Sequence, residues 1–285
     1  MKKFLKYSSI TLVVLVIILF CAARIFKYKV DYGIAKDQTE KHHINFPSNQ
    51  VKVALFSKTT GFRHGEAIDA SKPMFFSLAT KNNWFLYETE DAGFINEEEL
   101  SQFDVVIWNN STGKCLTDDQ RVLLENYIKN GGTYIGLHGS GDFSHHWEWY
   151  RNDLIGAVFS HHPIKNQIQE ATARLNNNAD STLLFNLSGN WDHSEEWYVF
   201  YDHPEKNGFE VLYSIDGTQI DPNGNIPILE SGKNFGMGEN HPIAWYKEVI
   251  KGKTFYTSIG HQGVAYRDPN LIQMLENAIK WGLKD

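Results

Sequence analysis

From residue 51 onward the chain alternates short apolar runs with amphipathic stretches. Val51–Ser57 (VKVALFS) is nearly continuous in apolar residues and ends in a glycine-containing loop, Lys58–Gly65, the pattern of a buried parallel strand. Ala67–Lys81 has helical spacing, and Trp84–Glu88 reads as a second strand. Asp104–Trp108 (DVVIW) predicts a third strand, which runs into Asn109-Asn110-Ser111. Thr117 with Gln120 has capping-box spacing, so a helix is expected from Asp118 to Asn130, stopped by Gly131-Gly132. Thr133–Leu137 (TYIGL) predicts a fourth strand, and Trp149–Ala157 is helix-like. Strands alternating with helices imply a parallel sheet covered on both faces.

The second half is patterned differently. Short strand-like runs at Glu210–Ile215, Ile226–Leu229, Ile243–Glu248 and Thr254–Ser258 sit between turn residues. A closing helix is expected from Asn270 to Leu283. These pieces are expected to extend the same sheet and to fold loops over it. No internal repeat or low-complexity segment is evident.

The N-terminus has a third pattern. Met1–Lys6 carries three lysines, Ile10–Ala23 is an apolar run of 14 residues, and Arg24, Lys27 and Lys29 follow. A positive start, a short apolar stretch and the small residues near Cys21-Ala22-Ala23 fit a secretory signal. Tyr7, Ile25 and Phe26 at its edges could stretch the run toward the roughly 20 residues of an uncleaved anchor. Residues 1–29 are therefore expected as signal peptide or membrane anchor, 30–50 as a polar linker, and 51–285 as one domain. That domain is expected on the periplasmic or extracellular side.

Composition narrows the functional classes. With 42% hydrophobic and 21% charged residues the chain can bury a sizeable core. Its net charge is −7, and no basic block follows the leader, so the footprint of a nucleic-acid binder is missing. Of the two cysteines, Cys21 lies in the leader and Cys115 stands alone in the domain, which excludes a disulfide framework and a cysteine zinc site.

Candidate chemistry gathers at strand ends. Ligands of open α/β sheets bind beyond the carboxyl ends of the strands. His64 follows the first strand, Asn109 and Asn110 the third, and His138 ends the fourth. Gly136-Leu137-His138-Gly139-Ser140 has the shape of a nucleophile elbow, but with histidine where Ser or Cys would stand. Imidazole there suits a general base or a metal ligand. His162-Pro163, His241-Pro242 and Gly260-His261 are further histidines in distinctive settings. Glu195-Glu196-Trp197-Tyr198 adds acids and aromatics. Neighbours on a strand face opposite sides, so one glutamate is expected in the site, and Glu196 is the choice.

In this order, these motifs resemble the trehalose-utilisation (ThuA-like) family, grouped with the class I glutamine amidotransferase-like domains. The resemblance runs from about Val51 to Lys284. It rests on Phe62-Arg63-His64, Gly136-Leu137-His138, Gly156-Ala157 with His162-Pro163, Glu195-Glu196-x-Tyr198 and His241-Pro242-x-x-Trp245. Gly252-Lys253-x-Phe255-Tyr256-x-x-x-Gly260-His261 and Trp281 complete it. Glu195 departs from the family's common Asp-Glu, and Lys253 stands where many members have Arg. The resemblance implies a flavodoxin-like three-layer α/β/α sandwich, with extra strands in its second half and an N-terminal hydrophobic helix before it. It also implies a role in carbohydrate catabolism, on glycosides or their keto forms. Glutaminase chemistry does not carry over, because His138 replaces the elbow cysteine.

Three functions are open on these residues. The first is a lyase, hydrolase or isomerase acting on a sugar derivative. In it His138, His64 and Glu196 are catalytic, and Asn109, His162, His241, Trp245 and Tyr198 bind substrate. A divalent metal on His64, His138 and His261 could polarise a carbonyl; no nucleotide cofactor is expected. The second is a non-catalytic exported sugar-binding module, with Trp147, Trp149, Trp191, Trp197 and Trp245 available for stacking. The third is a glycosidase using Asp142 and Glu196 as its carboxylate pair. The expected partners are a carbohydrate-derived small molecule and, if the leader is retained, a membrane.

Overall fold

The computed structural model describes residues 2–33, 37–145 and 147–283. Met1, residues 34–36, residue 146 and residues 284–285, which fall within the expected leader, linker and domain, lie outside the described residues. The elements run in the order α1 (Lys2–Tyr32), β1 (Lys52–Phe56), α2 (Gly65–Asn82), β2 (Phe85–Thr89), α3 (Glu97–Leu100), β3 (Val105–Asn109), α4 (Asp118–Lys129) and β4 (Thr133–Leu137). The second half holds β5 (Phe159–His161), β6 (Gln169–Leu175), β7 (Asn190–Glu195), β8 (Val199–Phe200), β9 (Glu210–Ile215), β10 (His241–Val249), β11 (Gly252–Thr257) and α5 (Pro269–Gly282).

Nine strands form one mixed sheet in the order β2-β1-β3-β4-β11-β10-β9-β6-β7. The first five of that order are parallel. The remaining four continue the sheet antiparallel. Alternate side chains divide between two cores, as the strand period requires. Val53, Leu55, Val105, Ile107, Ile135 and Leu137 pack with Phe75 and Leu78 of α2 and Met274 and Ile279 of α5. Ala54, Phe56, Val106, Trp108 and Tyr134 pack on the other face with Leu124 and Ile128 of α4 and with Tyr150 and Leu154. This is the three-layer α/β sandwich with added strands that the resemblance implied. The capping box at Thr117 forms in full.

Three features differ from the sequence pattern. Ile226–Leu229 is a turn rather than a strand: the Ile226 carbonyl accepts from both the Leu229 and Glu230 amides, and Pro227 removes a ladder donor. The strands β6 and β7 appear where the apolar pattern gave no strand. Both are polar outer strands, and in β6 only Ala173 is fully buried. The segment expected as a linker is laid along the domain from residue 37. Glu99 accepts from the His42 and Ile44 amides at 3.2 and 2.9 Å, Gln120 Nε2 donates to the Gln38 carbonyl at 2.7 Å, and the Phe46 ring packs against Phe103.

Helix α1 is continuous through the apolar leader. Its stretch Ile10–Val30 is 21 residues long with mean hydropathy 2.5 and none of it buried, so by length and composition it is long and apolar enough to cross a membrane.

Candidate metal and acid–base site

The parallel strands deliver their chemistry to one edge. His64 lies between the loop after β1 and the start of α2, His138 follows β4, and His261 follows β11. From the antiparallel half, Glu196 follows β7 and His162 follows β5. His138 has φ +36°, a conformation rare for a residue with a Cβ, so the chain does make a sharp elbow here. The flanking glycines have steric causes. A Cβ on Gly136 would lie 2.7 Å from the Ser140 and Tyr134 hydroxyls, and one on Gly139 would lie 2.8 Å from His64 Nδ1. In a nucleophile elbow, the amide after the nucleophile helps build the oxyanion hole. Here the Gly139 amide donates to Asn110 Oδ1 at 3.2 Å, so that donor is taken.

One donor atom from each of His64, His138, Glu196 and His261 lies within 4.8 Å of the others. His138 Nδ1 sits 2.6 Å from the Ser258 carbonyl. A carbonyl only accepts, so Nδ1 carries a proton, and in the neutral form of the ring Nε2 turns its lone pair toward the cluster. That Nε2 is 3.2 Å from Glu196 Oε2 and 3.3 Å from His261 Nδ1, and His261 Nδ1 is 3.1 Å from the same Oε2. A nitrogen lone pair facing a carboxylate oxygen at this distance needs a second proton or a cation between them. Donors placed tetrahedrally at about 2.0–2.1 Å from one ion are roughly 3.3 Å apart, so the spacing fits a shared metal. The Nδ1–H to carbonyl bond is also the usual support of a metal-bound histidine.

Electrostatics agree with that fit. Burial, with help from neighbouring histidines, holds His64 well below the usual histidine range and keeps it neutral. Burial pushes the Glu196 carboxyl up, but the His138 and His261 rings set against it outweigh burial and hold it well below the usual carboxylate range. Burial likewise lowers His261, and the Glu196 carboxylate more than restores it, so that His261 ends above its ordinary value. His64 Nδ1 is buried without a hydrogen-bond partner among the described residues. Its Nε2 lies 3.5 Å from the Tyr198 hydroxyl, and the Tyr198 ring lies against His138 with centroids 4.1 Å apart.

The second carboxylate oxygen of Glu196 faces the partly exposed His162, which marks the solvent side, or mouth, of the cluster. Oε1 is 3.0 Å from His162 Nδ1 and accepts from Gln167 Nε2 at 2.5 Å. His162 and His261 are partly exposed, whereas His64, His138 and Glu196 are buried.

Not every expected residue reaches this cluster. Asn109 is fully buried and spends its amide on Ser57 and Ser71, tying β1, α2 and β3 together. His241 is buried beneath β8, with Nε2 2.8 Å from the Tyr198 carbonyl, and burial lowers its pKa to about 4. Trp245 is a core ring whose Nε1 donates to the Ile155 carbonyl. Three contributors went unread in the sequence. Gln167 sits in a polar loop, Ser258 acts through its backbone carbonyl, and Glu195 is a brace. Glu195 is fully buried and accepts from the amides of Gly260 at 2.7 Å, His261 at 3.2 Å and Glu196 at 2.8 Å. The adjacent pair Glu195-Glu196 was the one available signal for it.

Fold and site together define a flavodoxin-type α/β sandwich whose elbow presents a histidine–glutamate cluster in place of a nucleophile. The chain belongs to the ThuA (trehalose utilisation) family, which matches it over residues 52–282. Among solved structures it is similar to a ThuA-like protein from Bacteroides uniformis, 23% identical with TM-score 0.67 over 85% of this chain and 95% of that one. It is also similar to a ThuA-like protein from Parabacteroides merdae, 14% identical with TM-score 0.61 over 82% of this chain and 90% of that one. A cytoplasmic protein from Salmonella typhimurium LT2 shares the fold at 11% identity and TM-score 0.54, over 82% of this chain and 100% of that one. No curated protein matches the chain.

Proposed function

We propose that this chain is a metal-assisted acid–base enzyme of carbohydrate catabolism, acting on a glycoside or its keto derivative by elimination, hydration or isomerisation. The family's link to trehalose utilisation supports a carbohydrate-related role. The observation that carries the chemistry is the triangle of His138 Nε2, Glu196 Oε2 and His261 Nδ1 at 3.1–3.3 Å, with His138 Nδ1 committed to a carbonyl. In this reading His64, His138, His261 and Glu196 hold a divalent ion. A bound ion would supply Lewis-acid polarisation of a sugar carbonyl or hydroxyl. Protons next to a keto group are acidic, and a base at the mouth can remove one. His162 is placed to do so: its Nδ1 is backed by Glu196 Oε1, which holds the ring in orientation and stabilises the imidazolium that forms. Gln167 fixes the same oxygen from the other side, and Tyr198 walls the floor.

The alternative of a sugar-stacking module without turnover finds little support in the aromatics. Trp191, Trp197 and Trp245 are buried, and Trp147 and Trp149 pack on each other.

The test is metal content and turnover of the purified chain on keto-disaccharides and their parent sugars. Expected are stoichiometric metal, activity lost on chelation and restored by a divalent ion, and a loss of at least about 100-fold in His138→Ala. Absence of metal together with chelator-insensitive activity, or full activity in His138→Ala, overturns the proposal.

A further inference from the structure

The end of α1 is bonded to the same edge of the sheet that carries the site. The Val30 carbonyl accepts from the Phe62 amide at 3.0 Å, and Phe62 sits edge-on to His64 with ring centroids 4.9 Å apart. Two further ties come from the side of the helix. Arg24 Nη1 donates to the Leu229 carbonyl at 3.2 Å, and Lys27 Nζ is 3.0 Å from Glu230 Oε2. Both partners belong to the loop 221–240, whose tip is the apolar sequence Ile226-Pro227-Ile228-Leu229.

That tip is displayed outward. Ile228 is 89% exposed and has φ +70°, an unusual conformation for a β-branched residue, and Pro227 beside it is exposed. The stretch Ile10–Val30 spans about 31 Å at the helical rise of about 1.5 Å per residue, close to the hydrocarbon thickness of a bilayer. Arg24 lies six residues before Val30, so Leu229 meets the helix about 9 Å inside the end of that stretch. Interfacial segments bury to about 5–10 Å. The charges of Arg24 and Lys27 are met at that depth by the Leu229 carbonyl and the Glu230 carboxylate.

We propose that α1 is a retained anchor and that the Ile226–Leu229 tip enters the same leaflet beside it, seating the strand carboxyl edge on the bilayer. The histidine site then opens at the membrane surface, and its substrate is taken there rather than from bulk solution. The loop is built to transmit that seating. His161 Nε2–H donates to the Pro222 carbonyl at 2.8 Å, the Ile164 amide donates to the Asn223 carbonyl at 3.0 Å, and Lys233 Nζ donates to the Ser160 carbonyl at 3.0 Å. These bonds hold the segment that carries His162 and Gln167. The surface proposal stands on α1 and the loop, independently of whether the cluster binds metal.

The experiment uses the full chain in lipid nanodiscs of phosphatidylethanolamine and phosphatidylglycerol, with Cys21→Ser to remove the exposed native thiol. An environment-sensitive fluorophore is placed by Ile228→Cys and, as the control, by Ile250→Cys, an exposed position in the turn between β10 and β11 at the opposite end of the sheet. Expected are an intact mass that retains the leader, a blue-shifted emission at 228, and quenching by iodide about fivefold weaker there than at 250, as for an interfacially buried side chain. Equal quenching at the two positions overturns the proposal. So does a mature mass lacking the leader, or shielding at 228 that appears only at more than one chain per disc, which would mark a contact between copies.

Discussion

A single bond decides what His138 can offer. Because Nδ1–H is spent on the Ser258 carbonyl, Nε2 is the one ring nitrogen left to meet the cluster, and in the neutral ring it does so as an acceptor. The same logic extends one layer out to Glu195, which grips the backbone that carries His261 and is itself faced by His193. His193 Nε2 is 3.6 Å from Glu195 Oε2, and Nδ1 is 3.4 Å from Asp268 Oδ2. Burial would lower His193, but its two carboxylate neighbours outweigh that and raise it to about 9. A raised histidine contributes stability that is full below the unfolded value of about 6.5 and fades as pH rises through the folded value. His193→Gln should therefore lower stability by on the order of 2 kcal/mol at pH 6. The gap to wild type should close by pH 10. Denaturant melts at the two pH values check this; a gap that stays constant with pH would show that the charge on His193 is not the cause. Histidines at strand ends were legible in the sequence, since glycine-flanked positions after apolar runs mark the sheet's carboxyl edge. Which side of the edge each residue faces was not. Asn109 ends a strand and His241 opens one at the same edge, yet they turn into the interior, because that choice depends on partners 52 and 43 residues away, Ser57 and the Tyr198 carbonyl.

Among the elements, the elbow shows how closely local chemistry is bound to the site. Gly139 leaves space that His64 occupies, so the turn after β4 and the loop after β1 fit only as a pair. Gly139→Ala should push the His64 ring aside. The expected result is a 10- to 100-fold weaker metal affinity by titration calorimetry, in the range seen when a ligand's support is disturbed, with stability reduced by about 1–3 kcal/mol as for overpacking. Unchanged affinity in a folded variant would mean that His64 is not a ligand. The parallel half of the sheet was readable because strands buried on both faces are unbroken apolar runs. The outer strands β6 and β7 are written in polar residues, QEATARL and NWDHSE, and owe their place to partners, β6 to β9 and β7 to β6, rather than to their own pattern. The 37–50 segment was unreadable for a related reason: it docks through Phe46 and backbone bonds to Glu99, which leave no periodicity.

Across the whole molecule, the cluster joins two halves of the chain that the sheet topology also joins. His64 and His138 come from the parallel half read before residue 150; Glu196 and His261 come from the second half, which returns to β4 through β11. An ion held by all four would cross-link segments nearly 200 residues apart, and it can bind only when both halves are in place. Its binding energy is then stability of the whole fold. At an ion concentration 100 times the dissociation constant the gain is about 2.7 kcal/mol. For a chain of this size that raises Tm by roughly 5–10 °C, at about 2–4 °C per kcal/mol. The net charge of −7 also draws cations to the surface without specificity, so the rise alone is not diagnostic. Glu196→Gln separates the two effects: it removes one buried carboxylate charge while leaving most of the surface charge in place. Calorimetric scans of chelated and ion-loaded chain should show the full shift in wild type and less than about a quarter of it in Glu196→Gln, since losing a charged ligand costs most of the affinity. An equal shift in both proteins would place the ion elsewhere and leave the four side chains as a proton-sharing network.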